Sequence, residues 1–549
     1  MSDLLAGPAE ASAGLVVHGA GTVDPAAPAS TRDALTLLGV PARLAAPDAT
    51  LWGPEVEAEA RERLGWLDTH RRSRELLPQL AELTAELADL DHVVLAGTGG
   101  SALAAEVITR TLGRPLTVLD GTDPGEVRAA LADRLERTVV VLASKSGATV
   151  ETDSHRRAYL AAFLDAGLTE AEAARHFVVV TDPGSPLEAV AAELGAVAVL
   201  ADPQVGGRYS ALTAFGLVPA ALAGAEVSEL LDQAEALAGS LAGEADNPAL
   251  ALGAALAAAA TSGRDTITLV DDGTGIEGLG DWIEQLLAES TGKTGLGLLP
   301  VVLESPDAPG GAGPDVLTVS HGGALAPGAV PGGWAAPDLA VNGPLGAHFL
   351  AWEYATALVG AVLGVNPFDQ PNVAESKENT ARLLASAPPP QPPSAVEGAI
   401  EVYAPAGTPT DLAGALRHLL DGLDPGGYLA VQAYLDRRAD ADAARLRPAL
   451  AGLTGRPVTF GWGPRYLHST GQYHKGGPQV GSFLQLTGTV DNDLAVPGRP
   501  YSFGELQAAQ ATGDREALTG RGRPVLRLHL TDRSAGLAQL IDTARRLRA

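Results

Sequence analysis

The stretch LASKSGATVET, residues 142–152, places Ser144, Lys145, Ser146, Thr149 and Thr152 around one glycine, directly after the apolar run RTVVVLAS. Where a buried strand ends and a helix begins, such hydroxyls and free backbone N–H groups converge on a point that suits an anion, a phosphate above all. A second small-residue loop, VVLAGTGGSALAAEV, carries Gly97, Gly99, Gly100 and Ser101 between an earlier strand and its helix. Its G-x-G-G-S spacing lacks the third glycine of the dinucleotide fingerprint and the acidic residue that should follow. The glycines either serve a tight turn or, together with SKSGAT, wall a crevice at the carboxyl ends of neighbouring strands.

Three further segments could act at the carbon end of a ligand. In QVGGRYSALTAFGL, Gly206 and Gly207 permit a close backbone approach and set Arg208 before an apolar helix, as a fixed cation or as a surface arginine on a turn. In DWIEQLLAESTGKTG, a helix over 281–290 puts Glu289 on the stripe of Trp282 and Gln285, with Glu284 ~140° round the axis. Glu284 is then expected to be a solvated charge. Glu289, beside an aromatic ring and opposing the helix dipole, is the candidate general base; the competing reading is a local ion pair with Lys293, four residues on. In GVNPFDQPNVAESKENT, two prolines frame Asp369 and Gln370, and a helix from Val373 carries Lys377. Gln370 and Lys377 could reach one site across that turn, or Lys377 is a solvated helix residue.

These loops need strands to hold them. HVVLAG (92–97), LTVLDG (116–121), TVVVLAS (138–144) and FVVVTD (177–182) are continuous apolar runs separated by helix-like segments, the pattern of a parallel sheet covered on both faces. A second such pattern runs through TITLVDDG (266–273), LLPVVL (298–303), DVLTVS (315–320) and DLAVNG (338–343). The expected fold class is α/β: two doubly wound parallel-sheet domains plus a smaller C-terminal α/β unit. The expected divisions are an extended or partner-wrapping arm at 1–52, a first domain at 53–225, a second at 226–386, a Pro-rich linker at 387–397 and the C-terminal extension at 398–549.

Composition narrows the function. With 66 acidic against 38 basic residues, a net charge of −28 and no dense basic block, nucleic acid is not an expected partner. The absence of cysteine excludes disulfides and thiolate metal sites. No segment reads as a secretory signal or membrane span, so a soluble, cytoplasmic protein is expected.

In this order the motifs GTGGS, SKSGATVET, GGRYSALTAFGL, EQLLAESTGKTGLGLLPV and NPFDQPNVAESK resemble the successive signatures of the phosphoglucose isomerase family, over roughly residues 90–385. The resemblance implies two sugar-isomerase (SIS) domains, a homodimer with active sites at the subunit boundary, no metal and no redox cofactor. It implies that Gly100, Ser101, Ser144, Lys145, Ser146, Thr149 and Gln370 surround a sugar phosphate. Glu289 would move a proton between C1 and C2, Arg208 would stabilise the enediolate and Lys377 would assist at the ring oxygen. The implied activity is the interconversion of glucose 6-phosphate and fructose 6-phosphate; the alternatives are a dual phosphoglucose/phosphomannose isomerase and a non-catalytic sugar-phosphate-binding regulator.

The family commonly opens the sugar ring with a histidine between the catalytic glutamate and the later lysine. Only His321 and His348 lie there, both outside any familiar context. The tail, which resembles a branch of the family fused to transaldolase, supplies His468, Gln472, His474 and Lys475 in YLHSTGQYHKGGPQVGSF. Of these, His474, with Lys475 before Gly-Gly-Pro, is the residue expected to fold back onto the site, the competing reading being an exposed loop. His468 and His474 have no third ligand at a spacing that would suggest a metal.

Overall fold

Near its start the chain forms a hairpin, β1 (Glu10–Ser12) and β2 (Leu15–His18), whose Leu15 and Val17 are fully buried. The computed structural model describes residues 9–20, 23, 27–325, 337–386, 391–405 and 407–548. In place of the expected extended or partner-wrapping arm over 1–52, β2 pairs antiparallel with residues 340–342, and the helix Ala27–Leu37 packs on the helix Pro248–Thr261. An alternating strand buries one face only against an existing sheet edge, and the second domain provides one.

The first sheet holds β3 (His92–Gly97), β4 (Thr117–Leu119), β5 (Thr138–Ala143), β6 (Phe177–Thr181) and β7 (Val197–Leu200) in the order β4-β3-β5-β6-β7, all parallel. Every residue of β3, β5 and β6 is buried, as β-branched runs covered by helices on both faces should be. The short edge strand β7, the apolar run VAVL, adds a fifth strand to the four expected; at the edge of the sheet only its Val199 is buried. Strand order reverses between β3 and β5, so the loops after these two strands diverge and open a crevice there.

The second sheet joins β8 (Thr266–Asp271), β9 (Leu299–Val302), β10 (Val316–Gly322) and β11 (Leu339–Asn342) in the order β1-β2-β11-β10-β8-β9. The Ala-rich helix Pro248–Thr261 and the apolar helix Leu345–Leu363 pack on each other beside it, and a single hydrophobic core runs from Leu15 to Phe368 through both lobes.

The C-terminal unit is α/β, as expected. It is a six-stranded sheet of β12 (Ala395–Glu397), β13 (Ile400–Tyr403), β14 (Tyr428–Tyr434), β15 (Val458–Trp462), β16 (Gly481–Gly488) and β17 (Val525–Leu530), ordered β12-β13-β17-β16-β14-β15, with its own core. Part of the expected linker, 387–390, lies outside the described residues, and 395–397 form the edge strand β12. A second apolar cluster, from Val270 and Ala288 to Tyr428, Tyr473 and Phe483, joins this third lobe to the second. Among the described residues no helix is long and apolar enough to cross a membrane.

Candidate active site

The loops after β3 and β5 face a crevice of about 360 Å³, and the structure brings Gly100, Ser101, Lys145, Ser146, Thr149, Arg208, Glu289, Gln370 and Lys377 to its walls. Ser144 lies buried beneath, its hydroxyl 2.7 Å from that of Thr149. Gly100 is required by contact: a Cβ there would stand 2.0 Å from the carbonyl oxygen of Gly207, so only glycine lets the 3₁₀ turns Gly99–Ser101 and Gly207–Tyr209 meet. Ser210 seals the junction by donating to the Gly100 carbonyl at 3.1 Å. Lys145 reaches 2.5 Å from Asp182 Oδ2; burial lowers the pKa of the lysine and raises that of the aspartate.

Arg208 is 4% exposed, which overturns the surface reading. Its Nη1 donates to the carbonyls of Glu289 (3.2 Å), Pro367 (2.9 Å) and Asp369 (3.1 Å), while Nη2 donates to Glu289 Oε1 at 3.3 Å and to Gln370 Oε1. The rigid turn framed by two prolines thus serves as a cradle of carbonyls that fixes the guanidinium plane. Gln370 is also the residue preceding the helix Pro371–Ala385, from which Lys377 projects, exposed, into the crevice.

Glu289 sits in the last turn of the helix Leu279–Thr291. Its carboxylate faces polar partners: besides Arg208, Gln285 Nε2 donates to Oε2 at 2.9 Å, while Trp282 packs edge-on against Phe349. The expected aromatic neighbour is therefore replaced by a cation and an amide. Glu284, expected to be solvated, is half-buried, and desolvation together with Asp281 pushes its carboxyl well above the usual carboxylate range. Lys293 does not pair with Glu289 through the helix; its Nζ lies 2.8 Å from Asp369 Oδ1, and burial and the nearby Arg208 bring its pKa down to about 8.

The histidines require the main correction. His474 is not in the crevice: GQYHKG folds as the helix Gly471–Gly476, wedged among buried rings, with Nδ1 of His474 2.9 Å from the Tyr428 hydroxyl and its ring stacked on Tyr428. Burial, Lys475 and Arg523 hold it well below the usual histidine range. His321, within β10, and His348, on the helix Leu345–Leu363, are buried, and desolvation pushes them down to about 3 and about 4. The histidine that lines the crevice is His468, on the 3₁₀ turn Arg465–His468. Its Nε2 lies 3.0 Å from Glu151 Oε1, which also accepts from Gln510 Nε2 at 2.7 Å. Against burial, which would raise it, His468 holds the Glu151 carboxyl down at about 2.

The site therefore sets hydroxyls, backbone N–H groups and a lysine at one end, and a carboxylate against a fixed guanidinium at the other. Such a set can hold a phosphate and move a proton at a carbon whose oxygen becomes anionic.

A family model described as phosphoglucose isomerase matches residues 83–296. A protein of Rubrobacter xylanophilus named glucose-6-phosphate isomerase is 30% identical over 384 residues, covering 56% of this chain and 86% of that one. A protein of Haloarcula marismortui named probable glucose-6-phosphate isomerase is 36% identical over 224 residues, 40% of this chain, and the match spans about half, 51%, of that relative's length. The crystal structure of a glucose-6-phosphate isomerase from Chlamydia trachomatis superposes with a TM-score of 0.52 at 19% identity, covering 69% of this chain and 89% of that one, a likeness of fold.

Proposed function

The chain belongs to the phosphoglucose isomerase family, and from that premise we propose that it interconverts glucose 6-phosphate and fructose 6-phosphate through an enediolate. One observation carries the reading: the carboxylate of Glu289 and the guanidinium of Arg208 meet at 3.3 Å in the same crevice as the two hydroxyl-bearing loops.

The 6-phosphate is taken by Ser101, Ser146, Thr149 and the backbone N–H groups around them; Gln370, whose Oε1 accepts from Arg208, links that end to the guanidinium, and Ser144 braces Thr149 from below. Lys145, held by Asp182, supplies the cation. At the other end Glu289 removes the proton from C2 of the open aldose, the C–H electrons form the C1=C2 bond, and the O1 carbonyl electrons move onto oxygen. Arg208 faces that developing charge, and being fixed by carbonyls it needs no reorganisation when the charge appears. The O2 hydroxyl proton then passes to O1, the O2 electrons form the C2 carbonyl, and the C1=C2 electrons take the proton back from Glu289 at C1, which gives the ketose. Oxidation at one carbon balances reduction at its neighbour, so the step consumes no redox partner. Before isomerisation the ring must open, by proton loss from the anomeric hydroxyl and proton gain at O5; His468, paired with Glu151, and Lys377 are the groups on the crevice wall for those transfers, in place of His474.

The test is conversion of fructose 6-phosphate to glucose 6-phosphate by the purified chain, read with a coupled dehydrogenase in the presence of chelator. Glu289→Gln should lower turnover by about 10³-fold while sugar-phosphate binding persists, since proton transfer by a placed base contributes about 10²–10⁴. Turnover undiminished in that variant would remove Glu289 from the reaction. Saturable binding without turnover by the unaltered chain would favour a sugar-phosphate-binding regulator.

A further inference from the structure

The two lobes that carry the phosphate loops and Glu289 leave one side of the crevice to the third lobe, through the turn Arg465–His468. This turn is joined to the reacting groups at two points. His468 Nε2 meets Glu151 beside the phosphate loop, and the His468 carbonyl accepts from Gln285 Nε2 at 2.9 Å, the same amide that donates to Glu289.

Three residues before His468, Arg465 enters a cluster shared with the first lobe. Its Nη1 lies 2.6 Å from Asp120 Oδ2 and its Nη2 2.8 Å from Glu106 Oε2. Arg437, also of the third lobe, pairs with the same two carboxylates. The Asp120 side chain is 2% exposed, and those of Glu106 and Arg465 are 11% and 12% exposed. Glu106 belongs to the helix Leu103–Thr111 that follows the Gly99–Ser101 turn, and Asp120 follows directly after β4. Buried ionic clusters add little net stability, because desolvation offsets attraction, but removing one partner is costly. This one ties the turn that bears His468 to the frame that bears the phosphate loops.

We propose that the third lobe is a catalytic lobe acting in cis: it delivers His468 to the crevice of its own chain, and Arg465, clamped by Glu106 and Asp120, is the positioning residue that holds His468 against Glu151. The inference rests on the sugar-phosphate isomerase reading. It replaces the subunit-boundary site implied by family resemblance with one assembled by three lobes of a single chain.

Two measurements test it. Glu289→Gln and His468→Asn chains are co-expressed with different tags, and the mixed species is assayed. A site shared between subunits would return about a quarter of the unaltered activity, because random pairing in a two-fold dimer makes half of the dimers mixed, with one intact site each. A cis site returns only the mean of the two parents' residual activities. Separately, Arg465→Gln should lower kcat for glucose 6-phosphate about tenfold or more, with KM little changed. It should spare an analogue that lacks the ring-forming O5 hydroxyl, and Arg465→Lys should recover part of the loss. Recovery of activity in the mixture, or equal loss on both substrates, overturns the proposal. The mixing experiment leaves the cluster intact, so it decides the cis assignment even if Arg465→Gln fails to fold. An unaltered chain that turns over neither sugar phosphate would instead sink the isomerase reading.

Discussion

Arg208 uses both terminal nitrogens on acceptors supplied by Glu289 and by the turn at 367–370. A lysine cannot reproduce that planar fork. Arg208→Lys is therefore expected to lower kcat by about 10²-fold, the scale of losing one oriented donor to an oxyanion, with a smaller change in KM; steady-state kinetics on fructose 6-phosphate would reveal it. Lys293 stands behind this arrangement. Burial and Arg208 depress it to about 8, so it is cationic and paired with Asp369 below that pH and loses its proton as pH rises through about 8. Loss of the pair frees the Asp369 backbone that helps hold Arg208. Activity should decline above pH 8, and Lys293→Met should be weaker but lack that alkaline limb in a kcat/KM profile.

At the scale of elements, the site depends on how closely short turns approach one another. The turns Gly99–Ser101, Gly207–Tyr209 and Arg465–His468 meet so tightly that a Cβ on Gly100 would stand 2.0 Å from Gly207 O, and one on Gly99, at φ +54°, 2.7 Å from His468 O. Gly100→Ala must push the Arg208 turn away. Sugar-phosphate affinity should fall by at least about tenfold and the melting temperature by several degrees, as for an overpacked core costing about 1–3 kcal/mol. Calorimetric binding and thermal melting of the same sample would check both. An alanine variant with unchanged binding would mean that the turns can separate without harm to the site.

For the whole molecule, the third lobe is held by apolar clusters and by the Arg465, Arg437, Glu106 and Asp120 cluster, and the latter should make docking sensitive to acid. Although burial alone would raise it, Arg465 and Arg437 hold Glu106 at about 2, below its ordinary 4.5. A carboxylate depressed on folding contributes its stability above about 4.5 and loses it as pH falls towards about 2. The linkage amounts to about 3 kcal/mol. Urea unfolding midpoints should drop between pH 6 and pH 3, and Glu106→Gln should show a shallower dependence; equal slopes would place the acid sensitivity elsewhere.

The sequence by itself determined what local chemistry dictates. Continuous β-branched runs such as TVVVLA can be satisfied only by burial on both faces, so β3, β5 and β6 were legible, and with them the hydroxyl-rich turn at the end of β5. The stripe shared by Gln285 and Glu289 was legible for the same reason, since four residues along a helix return to one face. Only the tertiary structure decided which partner covers each face. Periodicity marked Glu289 as inward-facing, yet could not show that Arg208 would meet it instead of the Trp282 ring. The hairpin at 10–18 found its partner strand more than 300 residues away. His468 and His474 are six residues apart in a stretch rich in glycine, and no spacing rule separates them. The fold turns one towards Glu151, 317 residues distant in sequence, and seals the other among Tyr428 and Phe483. Such a choice belongs to the docking of whole lobes, where long-range contacts, and not the propensities of neighbouring residues, set which side chain reaches the crevice.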